Sequence, residues 1–223
     1  MKEKSGRNVQ ARDGLRSVAY RRYSGVGRTA RRPRPGGWSE EHDSYEATCF
    51  PTASSVACSW NPNLIGQMAE SIAQEAKELG VSVVLGPGIN IKRSPLCGRN
   101  FEYYSEDPFL TGELATAYIS AMQEHGVGTS LKHFAGNNQE THRMTSNSMI
   151  DDRALHEIYL SAFEKAVKKA KPATVMASYN YINGLPACDH PLSERLEYSR
   201  NLLPTLGPLF EYSRNCRRKR GCL

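Results

Sequence analysis

The middle of the chain alternates between two hydrophobic periods. Between Asn61 and Gly80, apolar residues fall at Ile65, Met68, Ala69, Ile72, Ala76 and Leu79, a three-and-four spacing that lines one helix face, and Gly80 suits its end. "VSVVLGPGI" (Val81 to Ile89) follows, β-branched and apolar until Gly86-Pro87-Gly88 interrupts it, as in a strand covered on both faces. The succession then recurs. Leu110, Leu114, Ala117, Tyr118, Ala121 and Met122 predict a second helix, and "VGTSLKHF" from Val127 a second strand. Leu155, Ile158, Tyr159, Ala162, Phe163, Ala166 and Val167 predict a third helix, with Lys168, Lys169 and Lys171 suited to its carboxyl end. "ATVMASYN" from Ala173 is the third strand, and the expected starts at 81, 127 and 173 are 46 residues apart twice.

Alternating helix and buried strand implies an α/β fold whose parallel strands are joined by right-handed crossovers. An open doubly wound sheet and part of an eight-stranded barrel both satisfy the pattern. In either, ligands sit beyond the carboxyl ends of the strands. Three polar-rich loops, Gly86–Glu102, Lys132–Arg143 and Met176–Pro186, are expected to leave those ends.

Charge divides the chain further. Its 223 residues carry a formal net charge of +6, but residues 43–192 hold 11 basic and 16 acidic residues, so the positive excess belongs to residues 1–42 and 193–223. "RRPRPGG" (Arg31 to Gly37) and "CRRKRG" (Cys216 to Gly221) read as irregular, solvated basic ends with no specific nucleic-acid partner. "MKEKSGRNV" lacks the apolar centre of a secretory signal, and no stretch approaches the ~20 apolar residues of a membrane span, so a cytoplasmic location is expected. Six cysteines without a C-x-x-C pair predict buried free thiols, with no zinc cage and no disulfide framework.

Candidate chemistry concentrates in "GTSLKHFAGNNQETHRM" (Gly128 to Met144), where a buried strand ends in Lys132-His133, amides, a carboxylate and Arg143. Arg99, Lys132, His133 and Arg143 bring donors to one rim, and Asn137, Asn138, Gln139, Tyr179 and Asn180 add mixed donors and acceptors. Such a rim suits a polyhydroxylated or anionic ligand. "GPGINIK" is too loose a match to a phosphate loop, and no metal or cofactor is expected. Asp107 before Pro108 and Asp151-Asp152 have the composition of helix starts, whereas Glu102 and Glu140 are expected to orient Arg99 or Arg143.

"GPGINIKRSPLCGRNFEYYSEDP", "KHFAGNNQETHRM" and "VMASYNYINGLP", with "ATCFPTASSVACSW" before them, resemble consecutive motifs of the family-three glycoside hydrolases, the β-glucosidase type. The resemblance covers about Ala47 to Leu192 and implies a partial (β/α) TIM-barrel-like domain at residues 43–192, flanked by irregular segments 1–42 and 193–223. It implies a pocket for the non-reducing sugar lined by Arg99, Lys132, His133, Arg143, Met176 and Tyr179, and glycoside hydrolysis with retention. The family's nucleophile is an aspartate in a Ser-Asp motif. "HPLSERLE" (His190 to Glu197) resembles the approach to it, but no Ser-Asp follows. The expectation is a sugar-binding part that is inactive alone, with a complementing chain as one source of the missing carboxylates. A noncatalytic carbohydrate-binding remnant is the alternative.

Overall fold

The computed structural model describes residues 47–192, together with the short strand pairs at 17–18, 30–31 and 44–45. Strands β1 (Ser17–Val18), β2 (Ala30–Arg31) and β3 (Ser44–Tyr45) precede the short helix α1 (Ala53–Ala57). Then follow α2 (Pro62–Glu78), β4 (Val83–Val84), a 3-10 turn (Asn100–Glu102), α3 (Pro108–Glu124) and β5 (Gly128–Phe134). After β6 (Asn147–Ser148), α4 (Asp152–Ala154) passes through a π-helical turn (Leu155–Tyr159) into α5 (Ser161–Ala170). The last elements are β7 (Thr174–Ala177), β8 (Tyr181–Ile182) and β9 (Leu185–Pro186).

All three expected strand–helix units form, and their order separates the two candidate architectures. The main sheet runs β1-β4-β5-β7, every pair parallel. Each strand adds on the same side of its predecessor, and α3 packs between α2 and α5. Right-handed crossovers in unbroken order keep the helices on one face, as in a barrel wall; a doubly wound sheet would reverse its order and cover both faces. A smaller sheet, β6-β8-β9, is built from the loops that leave β5 and β7.

Several expectations need correction. The first of the three expected strands is two residues long, Val83–Val84, and does not fill the run from Val81 to the Gly86-Pro87-Gly88 break. Residues Gly80 and Val81 still belong to the helix end, where Gly80 N–H donates to Lys77 O (3.0 Å) and Val81 N–H to Ala76 O (2.9 Å). Beyond Val84, Pro87 has no N–H to give the ladder, and pairing resumes only as isolated bridges from Gly88 to Tyr103 and Lys132. The π turn shifts the buried stripe of the third helix. Leu155, Leu160, Ala162, Phe163 and Ala166 are buried, while Ile158 and Tyr159 stay half-exposed. Cys97 is a buried free thiol, but Cys49 and Cys58 are exposed and Cys188 half-buried. Within the stretch read as irregular, Ser17–Val18 pairs with Val83–Val84, and Ala30–Arg31 pairs antiparallel with Ser44–Tyr45. The remaining basic residues of 1–42 and all of 193–223 lie outside the described residues.

The core is the interface between β5 and the three long helices. Ile65, Ile72, Leu114, Ile119, Met122, Leu131 and Phe163 are almost wholly buried, each such side chain contributing roughly 1.5–3 kcal/mol on removal from water. Phe134 and Phe163 meet edge to face, with centroids 5.2 Å apart. Among the described residues no helix is long and apolar enough to cross a membrane.

Two helix ends share one closure. Gly80 (φ 68°) and Gly126 (φ 80°) occupy the left-handed position, each followed by a valine whose N–H returns to the last turn. The third helix places Lys171 there instead, at φ 49°. A Cβ on Gly126 would meet nothing within 4 Å, so its backbone conformation is the whole cost of substitution. Gly126→Ala is therefore expected to lose about 1 kcal/mol and Lys171→Gly to gain a comparable amount. Urea unfolding midpoints check this, and unchanged midpoints in both variants would refute the assignment.

Candidate functional site

The sequence-predicted residues converge on the carboxyl ends of β5 and β7. Lys132 and His133 close β5, Met176 lies in β7 as the register partner of Lys132, and Tyr179 follows two residues beyond that strand. Arg99 precedes the 3-10 turn, and Arg143 stands in the loop after β5. Backbone bonds lock these loops together: Ile89 N–H donates to Lys132 O (2.8 Å), and Lys132 N–H to Pro87 O (3.1 Å).

Two carboxylates tie the cations into one network, as the sequence suggested for Glu102 and Glu140. Lys132 Nζ lies 3.0 Å from Glu102 Oε2, and Arg99 Nε pairs with Glu102 Oε1. Glu140 Oε2 accepts from Arg143 Nη1 at 3.1 Å, and its Oε1 lies 4.0 Å from Arg99 Nε. The Arg143 guanidinium sits over the Tyr179 ring, 5.3 Å from its centroid, with Tyr179 itself 60% exposed. Three cations facing two carboxylates leave one positive charge in excess. That balance admits neutral polyols and anions and disfavours cations.

Burial sets the protonation of the centre. Desolvation lowers the Lys132 pKa, and Glu102 opposes that shift. Burial also penalises the Arg99 charge, but Glu102 and then Glu140 outweigh it and hold the guanidinium above its usual value. His133 is pushed well below the ordinary histidine value, first by burial and then by Arg99, Lys132 and Arg143. At neutral pH it is an uncharged imidazole among fixed cations.

The amides spend their donors largely within the loops. Asn137 is buried and donates to the Tyr103 hydroxyl (2.9 Å) and Glu140 Oε1 (3.2 Å). Asn138 donates to Ile91 O, Gln139 to Thr141 O, and buried Asn180 to Ala135 O. Their NH2 groups hold the loops, while the buried Asn138 and Asn180 side-chain oxygens make no hydrogen bond among the described residues.

Three contributors were not singled out from the sequence. Asn90 clasps the His133 backbone from both sides, accepting from its N–H and donating to its carbonyl, each at 2.9 Å. Tyr103 places its hydroxyl 3.0 Å from His133 Nδ1. Gly88 permits the close approach, since a Cβ there would stand 3.0 Å from both the Tyr103 ring and the Glu102 carbonyl. The available signal was Asn90 itself, a polar residue inside the apolar run "GINI".

Residues 37–194 match the glycosyl hydrolase family 3 N-terminal domain. The chain belongs to that family. It is 54% identical over 143 residues to thermostable β-glucosidase B of Acetivibrio thermocellus, covering 64% of this chain and 19% of the relative. It is 55% identical over 149 residues to an exo-α-(1→6)-L-arabinopyranosidase of Bifidobacterium longum, covering 67% of this chain and 20% of that protein. β-Glucosidase 3B from Thermotoga neapolitana in complex with glucose superposes with a TM-score of 0.68 at 42% identity, over 77% of this chain and 24% of the neighbour. The chain thus spans about a fifth of the length of these curated relatives.

A pH effect follows from His133. With its folded pKa depressed, the unfolded chain takes up the proton first as pH falls below ~6.5. Stability present above that pH is lost below it, by at most about 1.4 kcal/mol per pH unit for this group. His190, also lowered by burial, adds its own slope and remains in a His133→Gln variant. Urea unfolding between about pH 7 and pH 5 should show a shallower decline in His133→Gln than in the wild type. Equal slopes would mean that His133 is not buried neutral.

Proposed function

We propose that the described region is the sugar-holding part of a glycoside hydrolase of the β-glucosidase type. Arg99, Lys132, His133, Arg143, Met176 and Tyr179 surround the non-reducing sugar, and the chain on its own does not cleave the glycosidic bond. Hydroxyl oxygens accept charge-assisted hydrogen bonds from the guanidinium and ammonium groups, while the Tyr179 face, backed by Arg143, meets the C–H surface of a pyranose. Relatives named for glucoside and for L-arabinopyranoside cleavage are nearly equally similar, at 54% and 55% identity. The proposal is therefore a pyranosyl group, with glucose as the probe.

The observation that carries this reading is the engagement of both rim carboxylates. Retaining hydrolysis takes one carboxylate as nucleophile and one as proton donor. Glu102 is committed to Lys132 and Arg99, and Glu140 to Arg143 and Asn137, so both orient donors. Residues 190–223 contain no Ser-Asp, so the cleaving carboxylates would come from outside these 223 residues, a complementing chain being one source. The same engagement favours a second reading, a carbohydrate-binding remnant that no partner reactivates.

Release of p-nitrophenol from an aryl β-glucoside tests the central point. The 1–223 chain is expected to turn over no faster than a Lys132→Ala, His133→Ala double variant; turnover abolished by the double variant would reveal an unrecognised nucleophile. Binding tests the clamp separately. Glucose affinity should be millimolar at best, and Arg143→Ala should weaken it about fivefold, since one hydrogen bond nets ~1 kcal/mol. Arg153→Ala, which removes only an exposed pair with Glu157, should leave it unchanged. Equal effects of the two variants in ligand-observed NMR would sink the clamp assignment.

A further inference from the structure

His133 can meet a sugar either as a donor or as an acceptor, and the structure contains the groups that decide which. Its Nδ1 lies 3.0 Å from the Tyr103 hydroxyl, and the two rings meet edge to face. The same hydroxyl oxygen accepts from Asn137 Nδ2 at 2.9 Å.

The direction of each bond follows from the chemistry of its ends. Asn137 Nδ2 also faces Glu140 Oε1 at 3.2 Å, and Glu140 is ion-paired with Arg143. A paired carboxylate accepts and does not donate, so the amide atom facing it is the NH2 nitrogen, and the amide orientation is fixed. One N–H goes to Glu140 and the other to the Tyr103 oxygen. The Tyr103 oxygen receives that proton and directs its own toward the remaining partner, His133 Nδ1. Burial keeps Tyr103 in its protonated form by raising its pKa. An imidazole that accepts at Nδ1 carries its proton on Nε2. Among the described residues no acceptor faces Nε2, so this N–H is available to a ligand.

We propose that Tyr103 and Asn137 are positioning residues that hold His133 in the neutral Nε2–H tautomer, making it a hydrogen-bond donor to the sugar. This rests on the sugar-site reading above. Its consequence is that Arg99, Lys132, Arg143 and His133 all present donors, and the ligand's own hydroxyl protons find their acceptors elsewhere. The Asn90 clasp fixes the His133 backbone from which the ring reaches Tyr103. Such an arrangement resembles the outer partners that fix the tautomer of a metal-bound histidine, here serving an organic ligand.

Long-range 1H–15N correlation spectra of the 15N-labelled 1–223 chain, assigned through a His133→Gln variant, read the tautomer directly. The expected result is a neutral ring protonated at Nε2 throughout about pH 6 to 8, where an unperturbed histidine would titrate. A predominantly Nδ1-protonated ring, or an imidazolium at neutral pH, would overturn the proposal.

Tyr103→Phe keeps the aromatic ring and deletes the hydroxyl, and should yield a mixture of tautomers, with glucose binding weakened in proportion to the lost Nε2–H population, about twofold for an even mixture. An unmixed Nε2–H signal in that variant would remove Tyr103 from the role. Asn137→Ala offers an independent check that leaves Tyr103 intact, with the same loss of tautomeric purity expected and the same contrary result. If none of these proteins binds glucose while the tautomer behaves as described, the sugar reading fails and the relay stands.

Discussion

Lys132 is only 9% exposed, and an ammonium at that depth requires an anion beside it. Glu102 is that anion. Its bridge to Lys132 ties the loop after β4 to the end of β5, beside a cavity lined by Gly86, Pro87 and Gly88, and the same carboxylate holds Arg99. Glu140 repeats the arrangement across the next loop, joining Arg143 to the Arg99 side and, through Asn137, to Tyr103 and His133. Removing Glu102 would leave buried Lys132 and half-buried Arg99 without their shared anion, and removing Glu140 would leave half-buried Arg143 without its own. The network therefore fixes both the shape of the site and its surplus of donors.

The scaffold makes this possible by delivering several strand ends to one place. Three helices packed side by side hold β4, β5 and β7 parallel and in order, so their loops emerge together. Gly88 then lets the backbone beyond β4 bridge to both Tyr103 and Lys132, and a Cβ there would crowd the Tyr103 ring and the Glu102 carbonyl. Core packing supplies the rigidity, and the polar network sets what the rigid rim presents. The likeness to family 3 β-glucosidases extends over this part, with 42% identity to the Thermotoga neapolitana enzyme.

The sequence made the fold legible wherever periodicity was long. Helices with six or seven apolar positions were placed to within a few residues, and Gly80 and Gly126 mark two of their ends. Strands were overestimated, because an apolar run such as "VSVVLGPGI" does not reveal which backbone groups Pro87 or a helix-ending turn withdraws from the ladder. The π turn was invisible, since a one-residue shift puts Leu160 in the buried place expected of Tyr159 without changing composition. Charged site residues stood out by type at expected strand ends. So did the carboxylates Glu102 and Glu140 that orient them, but not the groups that orient His133: Asn137 reads as another rim amide, and Tyr103 lies 30 positions from the histidine it touches.

The central claim is that carboxylates at this rim organise cations for binding rather than perform chemistry. Glucose affinity of a Glu102→Gln variant tests it most directly, because glutamine keeps the shape and removes the charge that holds Lys132 and Arg99. The account predicts binding weaker by about fivefold or more, one charge-assisted contact being worth at least ~1 kcal/mol, with no change in an exposed Glu106→Gln control. Wild-type affinity in Glu102→Gln would contradict it.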